Sequence, residues 1–277
     1  MTLPLLSHDR VGRGEPLLLL HGFGSTHDDF AALVPALAED FEVWSMDLPG
    51  HGSSPMIDVS PTVAALAAAV IADLDAHGLD RVHVLGNSLG ARIAIELARE
   101  GRALSVVAIS PSGLGLPAER AYQGMLMITS RVLNVARLPM IDAMSETALG
   151  RTALLAGMRS LPWQASPVEA RIVKGGFGQQ RGFWPMLWHS LIADVPTQLD
   201  RINCPVILAQ GSLDLVGSGQ TPRYTPFIRD AEFVLLPGGG HAPMSDNPTL
   251  IVDLVHLAAT RSSTIRHDPS ATARSAA

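Results

Sequence analysis

Short apolar runs recur along the chain, each broken off by a glycine or a polar turn. They occupy residues 17–20 (LLLL), 41–46 (FEVWSM), 82–85 (VHVL), 104–109 (LSVVAI), 206–209 (VILA) and 232–236 (EFVLL). A short apolar run bounded by glycine, continuous at residues 17–20, suits a parallel strand buried on both faces. Between the runs the apolar spacing changes to that of helices. Residues 28–38 place Phe30, Leu33, Val34 and Leu37 on one face, and Pro61 stands where a helix running to about His77 could open. Residues 88–99 and 249–259 repeat the helical spacing with Leu89, Ile93 and Leu97, then Ile251, Leu254 and Val255. Strands alternating with helices predict an α/β fold: a mostly parallel, doubly wound sheet joined by right-handed crossovers. The alternation lapses over residues 114–200, which read as helices and loops rich in Met, Leu and Trp. This predicts a helical insertion (114–200) into a sheet domain built from residues 1–113 and 201–261. Residues 262–277, small and polar, are expected to fray or be disordered.

Composition narrows the picture. Hydrophobic residues make up 47% of the 277 residues and charged ones 17%, enough apolar material for a large core. The net charge of -6 argues against a nucleic-acid partner, which would call for a basic face. Cys204 is the only cysteine, so neither an intrachain disulfide nor a cysteine metal cluster is expected. Asp9 and Arg10 interrupt the first apolar stretch before it resembles a secretory signal, and no run is long enough to span a bilayer. A soluble cytoplasmic protein without cofactor or metal is the expectation.

Chemistry enters with Gly86-Asn87-Ser88-Leu89-Gly90, which sits where the 82–85 strand meets a helix. A sharp strand-to-helix turn strains the serine backbone and lifts its hydroxyl above the sheet, and the flanking glycines remove colliding side chains. Ser88 is therefore the candidate nucleophile. It requires a base, and His241 in the glycine-rich segment after the 232–236 strand has the freedom to fold back toward it. His83 falls inside a strand and reads as structural. The imidazole in turn needs an acid, and Asp214 follows the 206–209 strand at its carboxyl end. Ser110 and Pro111 occupy the competing turn after residues 104–109, and Asp246 reads as the start of the last helix. An oxyanion site is expected from two backbone N–H groups: Leu89, after the nucleophile, and Phe23 in His21-Gly22-Phe23-Gly24. The segment Lys174-Gly175-Gly176-Phe177-Gly178 reads either as a hinge or as an ordinary loop, and it lacks the context of a phosphate loop.

HGFG, DLPGHGSS (residues 47–54), GNSLG, GSLD and GGGHAP together resemble the α/β-hydrolase superfamily over residues 17–259. The resemblance implies an α/β-hydrolase fold, a structural rather than catalytic His51, and a cap formed by residues 114–200. It also leaves the family's first edge strand little room in so short an N-terminus. Aromatic residues of the cap, Trp163, Trp184 and Trp188 with Phe177 and Phe183, are candidates for lining a substrate pocket, or else form the cap's own core. Serine at the elbow departs from the aspartate of dehalogenases and epoxide hydrolases of this fold. The first reading is a carboxylesterase acting on a small or medium hydrophobic ester. The GNS elbow is also similar to hydrolases that cleave carbon–carbon bonds in meta-cleavage diketones, though Ala242 stands where those usually carry tryptophan, and Arg92 or a cap arginine would have to hold the substrate carboxylate. The HAP sequence is similar to esterases acting on carrier-protein esters or thioesters. Residues 114–200 hold eight Lys/Arg against six Asp/Glu, a slight lean toward an acidic carrier protein. A ligand receptor of the same fold is the non-enzymatic alternative.

Overall fold

The computed structural model describes residues 5–217 and 219–267. Seven strands form one sheet in the order β1-β3-β2-β4-β5-β6-β7. They are β1 (His8–Gly12), β2 (Glu15–Leu20), β3 (Phe41–Met46), β4 (Val82–Asn87), β5 (Ala103–Ile109), β6 (Val206–Gly211) and β7 (Glu232–Leu236). All neighbouring pairs are parallel except β1 with β3. The short N-terminus thus does hold an edge strand. Its sequence, HDRVG, gives no apolar run because most of its side chains face solvent, while its backbone still pairs with β3.

Along each central strand, alternate residues serve opposite faces. Leu18 and Leu20 join Val84, Val106 and Leu208 in one core. Leu17 and Leu19 join Leu85, Val107 and Ile207 in the other. The first face is covered by α2 (Val63–Ala76) and α3 (Leu89–Arg99), the second by the short α1 (Val34–Leu37) and by α9 (Pro248–His267). Full burial of each such leucine contributes about 1.5–3 kcal/mol relative to exposure, which makes this sheet a rigid platform.

Three helix boundaries differ from the spacing-based expectation. Residues 28–38 do not form one helix: a 3-10 turn (His27–Phe30) precedes α1, where Pro35 has no N–H to extend an earlier turn. The helix after Pro61 opens instead on Thr62, whose hydroxyl accepts the Ala65 N–H at 3.0 Å. The last helix continues to His267, so residues 262–267, expected to fray, are helical; residues 268–277 lie outside the described ones. Between β5 and β6 the described chain has no named strand. It folds as α4 (Pro117–Arg137), α5 (Ile141–Ser145), α6 (Ala148–Leu155), α7 (Pro167–Val173) and α8 (Phe183–Trp188), with two wide π-type turns at Lys174–Gly178 and His189–Ala193. A small core of its own, including Ile141, Leu154, Leu155 and Val173, holds part of it together. No described helix is long and apolar enough to cross a membrane.

Candidate active site

β4 ends at Asn87 and α3 begins at Leu89, so the whole change of direction falls on Ser88, at φ 54° and ψ -112°. Such a backbone conformation costs on the order of 1–3 kcal/mol and persists only where its surroundings impose it. Here they do. A Cβ added to Gly90 would stand 2.0 Å from the Leu20 carbonyl oxygen, and one on Gly86 2.5 Å from the Gly90 carbonyl. The Ser88 N–H is fixed to the Ile109 carbonyl at 2.8 Å.

His241 and Asp214 come from the loops after β7 and β6, and the structure brings them together. Nδ1 of His241 lies 3.0 Å from Oδ1 of Asp214, with both side chains buried. The same oxygen accepts the N–H groups of Val216 at 2.9 Å and Gly217 at 2.6 Å. Burial pushes the Asp214 carboxyl up, but the charge and hydrogen bond of His241, with the Gly217 N–H, outweigh it and hold it at about 2. An ionised Asp214 keeps the proton on Nδ1 and leaves Nε2 as the acceptor. The loops interlock as well: Leu213 N–H donates to Gly239 O and Ser212 N–H to Leu236 O, each at 2.9 Å.

The HGFG loop lies directly against the elbow, for a Cβ on Gly22 would stand 3.2 Å from the Ser88 Cβ. Two buried histidines shape this loop. His21 donates from Nδ1 to Gly22 O (2.8 Å) and accepts the Leu48 N–H at Nε2 (3.0 Å). His51 donates to Pro49 O (3.1 Å) and accepts the Gly24 N–H (3.3 Å). Burial lowers the pKa of both, that of His51 to about 3. Each is therefore a neutral strut. Among the described residues the backbone hydrogen bonds of turns, loops and caps include none donated by the N–H of Phe23 or of Leu89.

Ser88 and His241 line one narrow cleft of about 400 Å³ with Phe23, Met127, Leu187 and Val216. Its polar lining includes the neutral Ser110, Ser112, Gln123 and Gln220, and among the described residues no lysine or arginine borders it. The tryptophans proposed from sequence do not line it. Trp163, Trp184 and Trp188 are 47%, 58% and 56% exposed. On α8 it is Phe183, Met186 and Leu187 that turn inward, so the helical spacing directs Trp184 and Trp188 to solvent. Phe177 is buried against the HGFG loop, and its N–H donates to Gly24 O at 3.1 Å. The preceding Gly176 needs its missing side chain, since a Cβ there would stand 1.7 Å from Gly24 O. The glycine cluster thus packs residues 174–178 against the loop after β2. Arg92 does not reach the cleft either, being buried with Glu96 at 2.5 Å.

Three contributors were not legible as site residues in the sequence. Asn87, taken only as part of the elbow motif, donates from Nδ2 to the His241 carbonyl at 2.9 Å. Ser110, at the end of β5 with φ 50°, places its hydroxyl beside Asp214 and helps lower that carboxyl. Arg159, in the insertion, donates to the Ala242 carbonyl and to Asp29 Oδ1 (2.7 Å), while Ala242 N–H donates to Met158 O at 2.9 Å. Asp246 does not open the last helix; its Oδ2 accepts the N–H of Gly240 (2.8 Å) and Ser160 (3.2 Å), fastening the same loop. Among the described residues no group of three or more His, Cys, Asp or Glu could hold a metal ion.

A strained elbow at the carboxyl edge of a parallel sheet, facing a buried His–Asp pair, defines a class of fold and site. The family described as "Alpha/beta hydrolase family" matches residues 17–254, and the chain belongs to it. A pimeloyl-[acyl-carrier protein] methyl ester esterase of Chromobacterium violaceum is 30% identical over 85% of this chain and 90% of its own length. The dihydrolipoyllysine-residue acetyltransferase component of an acetoin cleaving system from Cupriavidus necator is 36% identical over 43% of this chain, and the match spans only 33% of that longer protein. A crystal structure of a hydrolase from Pseudomonas aeruginosa superposes with a TM-score of 0.71 at 26% identity, covering 90% of this chain and 92% of the other.

Proposed function

We propose that this alpha/beta hydrolase is a serine carboxylesterase acting on a small or medium, uncharged acyl group, with residues 114–200 as its cap. The strained Ser88, opening onto the same cleft as the His241–Asp214 pair, carries the reading. Ser88 Oγ attacks the ester carbonyl while His241 Nε2 takes its proton. The N–H groups of Phe23 and Leu89 hold the oxyanion, at about 3 kcal/mol for each donor. His241 then protonates the departing alcohol, and a water deprotonated by the same nitrogen releases the acid. Asp214, held ionised at about 2, stabilises the imidazolium in both halves.

The uncharged cleft lining favours this over the cleavage of diketones that carry a carboxylate, since a buried anion without a counter-ion is costly. The similarity to a carrier-protein methyl ester esterase supports a second reading, in which the acyl group arrives tethered to a carrier. A fluorophosphonate probe tests the chemistry: it should label Ser88 in the native protein and leave Ser88→Ala unlabelled. Labelling elsewhere, or none in folded protein, rejects the serine mechanism and favours a receptor. p-Nitrophenyl esters of graded length, set beside a meta-cleavage diketone, then separate the two cleavage chemistries.

A further inference from the structure

We propose that a second pocket, beside the cleft and beyond Phe23 and Phe177, receives the alcohol portion of the substrate and selects alcohols bearing a second, neutral hydrogen-bonding group. The inference rests on the ester-hydrolase reading.

This pocket shares no lining residue with the cleft, yet borders it through two pairs of chain neighbours. Phe23 lines the cleft and Gly24 the pocket; His241 lines the cleft and Ala242 the pocket. The Phe23 and Phe177 rings, with centroids 6.1 Å apart, stand at this boundary. The position suits the chemistry. A departing alkoxide must collect its proton from His241, so the alcohol has to lie on the histidine side of the scissile bond, away from the acyl group.

Its lining says what kind of alcohol. Leu154, Leu155, Ile172 and Val173 supply apolar walls. Between them two polar atoms are buried with no hydrogen-bond partner, Oδ1 of Asn134 and Nε of Arg159, on residues 5% and 6% exposed. Native proteins seldom leave such atoms unpaired, and a bound group offering a donor and an acceptor would satisfy both. The charge balance excludes an anion. Arg159 is matched by Asp29 at 2.7 Å, and Glu169, with Oε1 3.8 Å from Arg159 Nε, leaves the set one charge negative. A hydroxyl or amide fits; a carboxylate or phosphate does not.

Acyl transfer run on the wild-type protein provides the test, because an alcohol entering to attack the acyl-enzyme must occupy the place from which an alcohol leaves. With p-nitrophenyl butyrate as donor, propane-1,2-diol and 1-propanol compete with water for the butyryl group. In the transfer His241 takes the attacking hydroxyl's proton, the new C–O bond forms, and Ser88 Oγ departs and is reprotonated. The diol should be acylated roughly five- to tenfold faster per mole, the worth of one hydrogen bond to a buried group. Asn134→Leu should bring that ratio to about one. Equal partition in the wild type overturns the proposal whether or not the variant folds, and so does an unchanged preference in folded Asn134→Leu. Efficient transfer to glycolate would overturn the selection for neutral groups. Equal partition would leave the hydrolase reading standing, whereas absence of turnover on every ester, with Ser88 unlabelled, would remove both.

Discussion

His241 is held at two of its atoms by groups of different character: a charged carboxylate at Nδ1 and the neutral amide of Asn87 at the main-chain carbonyl. Their removal should therefore have different consequences. Asp214→Asn loses the anion that stabilises the imidazolium and can present an N–H to Nδ1, favouring the wrong tautomer. Its kcat on p-nitrophenyl butyrate should fall by roughly 10³–10⁴ with little change in KM. Asn87→Ala leaves the proton relay intact but frees the loop and one buried carbonyl. We expect a loss of about 1–3 kcal/mol in urea unfolding and a kcat drop of about tenfold. A drop as deep as that of Asp214→Asn would mean that Asn87 acts in the chemistry itself.

Elements, more than residues, separate what the sequence made legible from what it concealed. Strand β3 coincides with its apolar run, because a strand buried on both faces writes its whole length in hydrophobic residues. β1 escaped because an edge strand is held by backbone hydrogen bonds that any residue can make. The site loops were readable where backbone geometry demands particular residues, as in GNSLG and HGFG. Arg159 was not, since an arginine gives no local sign that its partners, Asp29 and Ala242, lie 130 and 83 positions away. The tryptophans misled because apolar character predicts burial on average, and helix phase decides it in the particular case. Arg159 also allows a prediction for the insertion. Arg159→Met strands the buried Asp29 carboxylate and should cost about 3–5 kcal/mol in denaturant. Adding Asp29→Asn should recover a large part of that, a coupling readable in a double-mutant cycle.

Across the whole molecule, titrating groups set a pH window for stability. The hydrogen bond to Asp47 raises His27 from its ordinary 6.5 to about 8. The folded state thus binds this proton more tightly, and the resulting stabilisation is complete below pH 6.5 and lost as pH climbs through 8. His21 and His51 work in the opposite direction. Burial lowers both, so below pH 6.5 the unfolded chain takes up protons the folded one refuses, and stability falls toward pH 3. Asp47 and Asp214, each at about 2, withdraw their contributions as pH drops from 3.8 through 2. The thermal midpoint should therefore peak near pH 6.5, and His27→Gln should flatten the alkaline arm while sparing the part of the acid arm set by His21 and His51. An unaltered alkaline slope in that variant would assign the effect to another group.

The fastening of residues 158–160 to the 240–246 loop bears on how a substrate gets in. If residues 114–200 serve as a roof over the cleft, it is nailed to the beam that carries His241, and raising it would shift that beam; we expect reactants to slip past the eaves while the roof stays down.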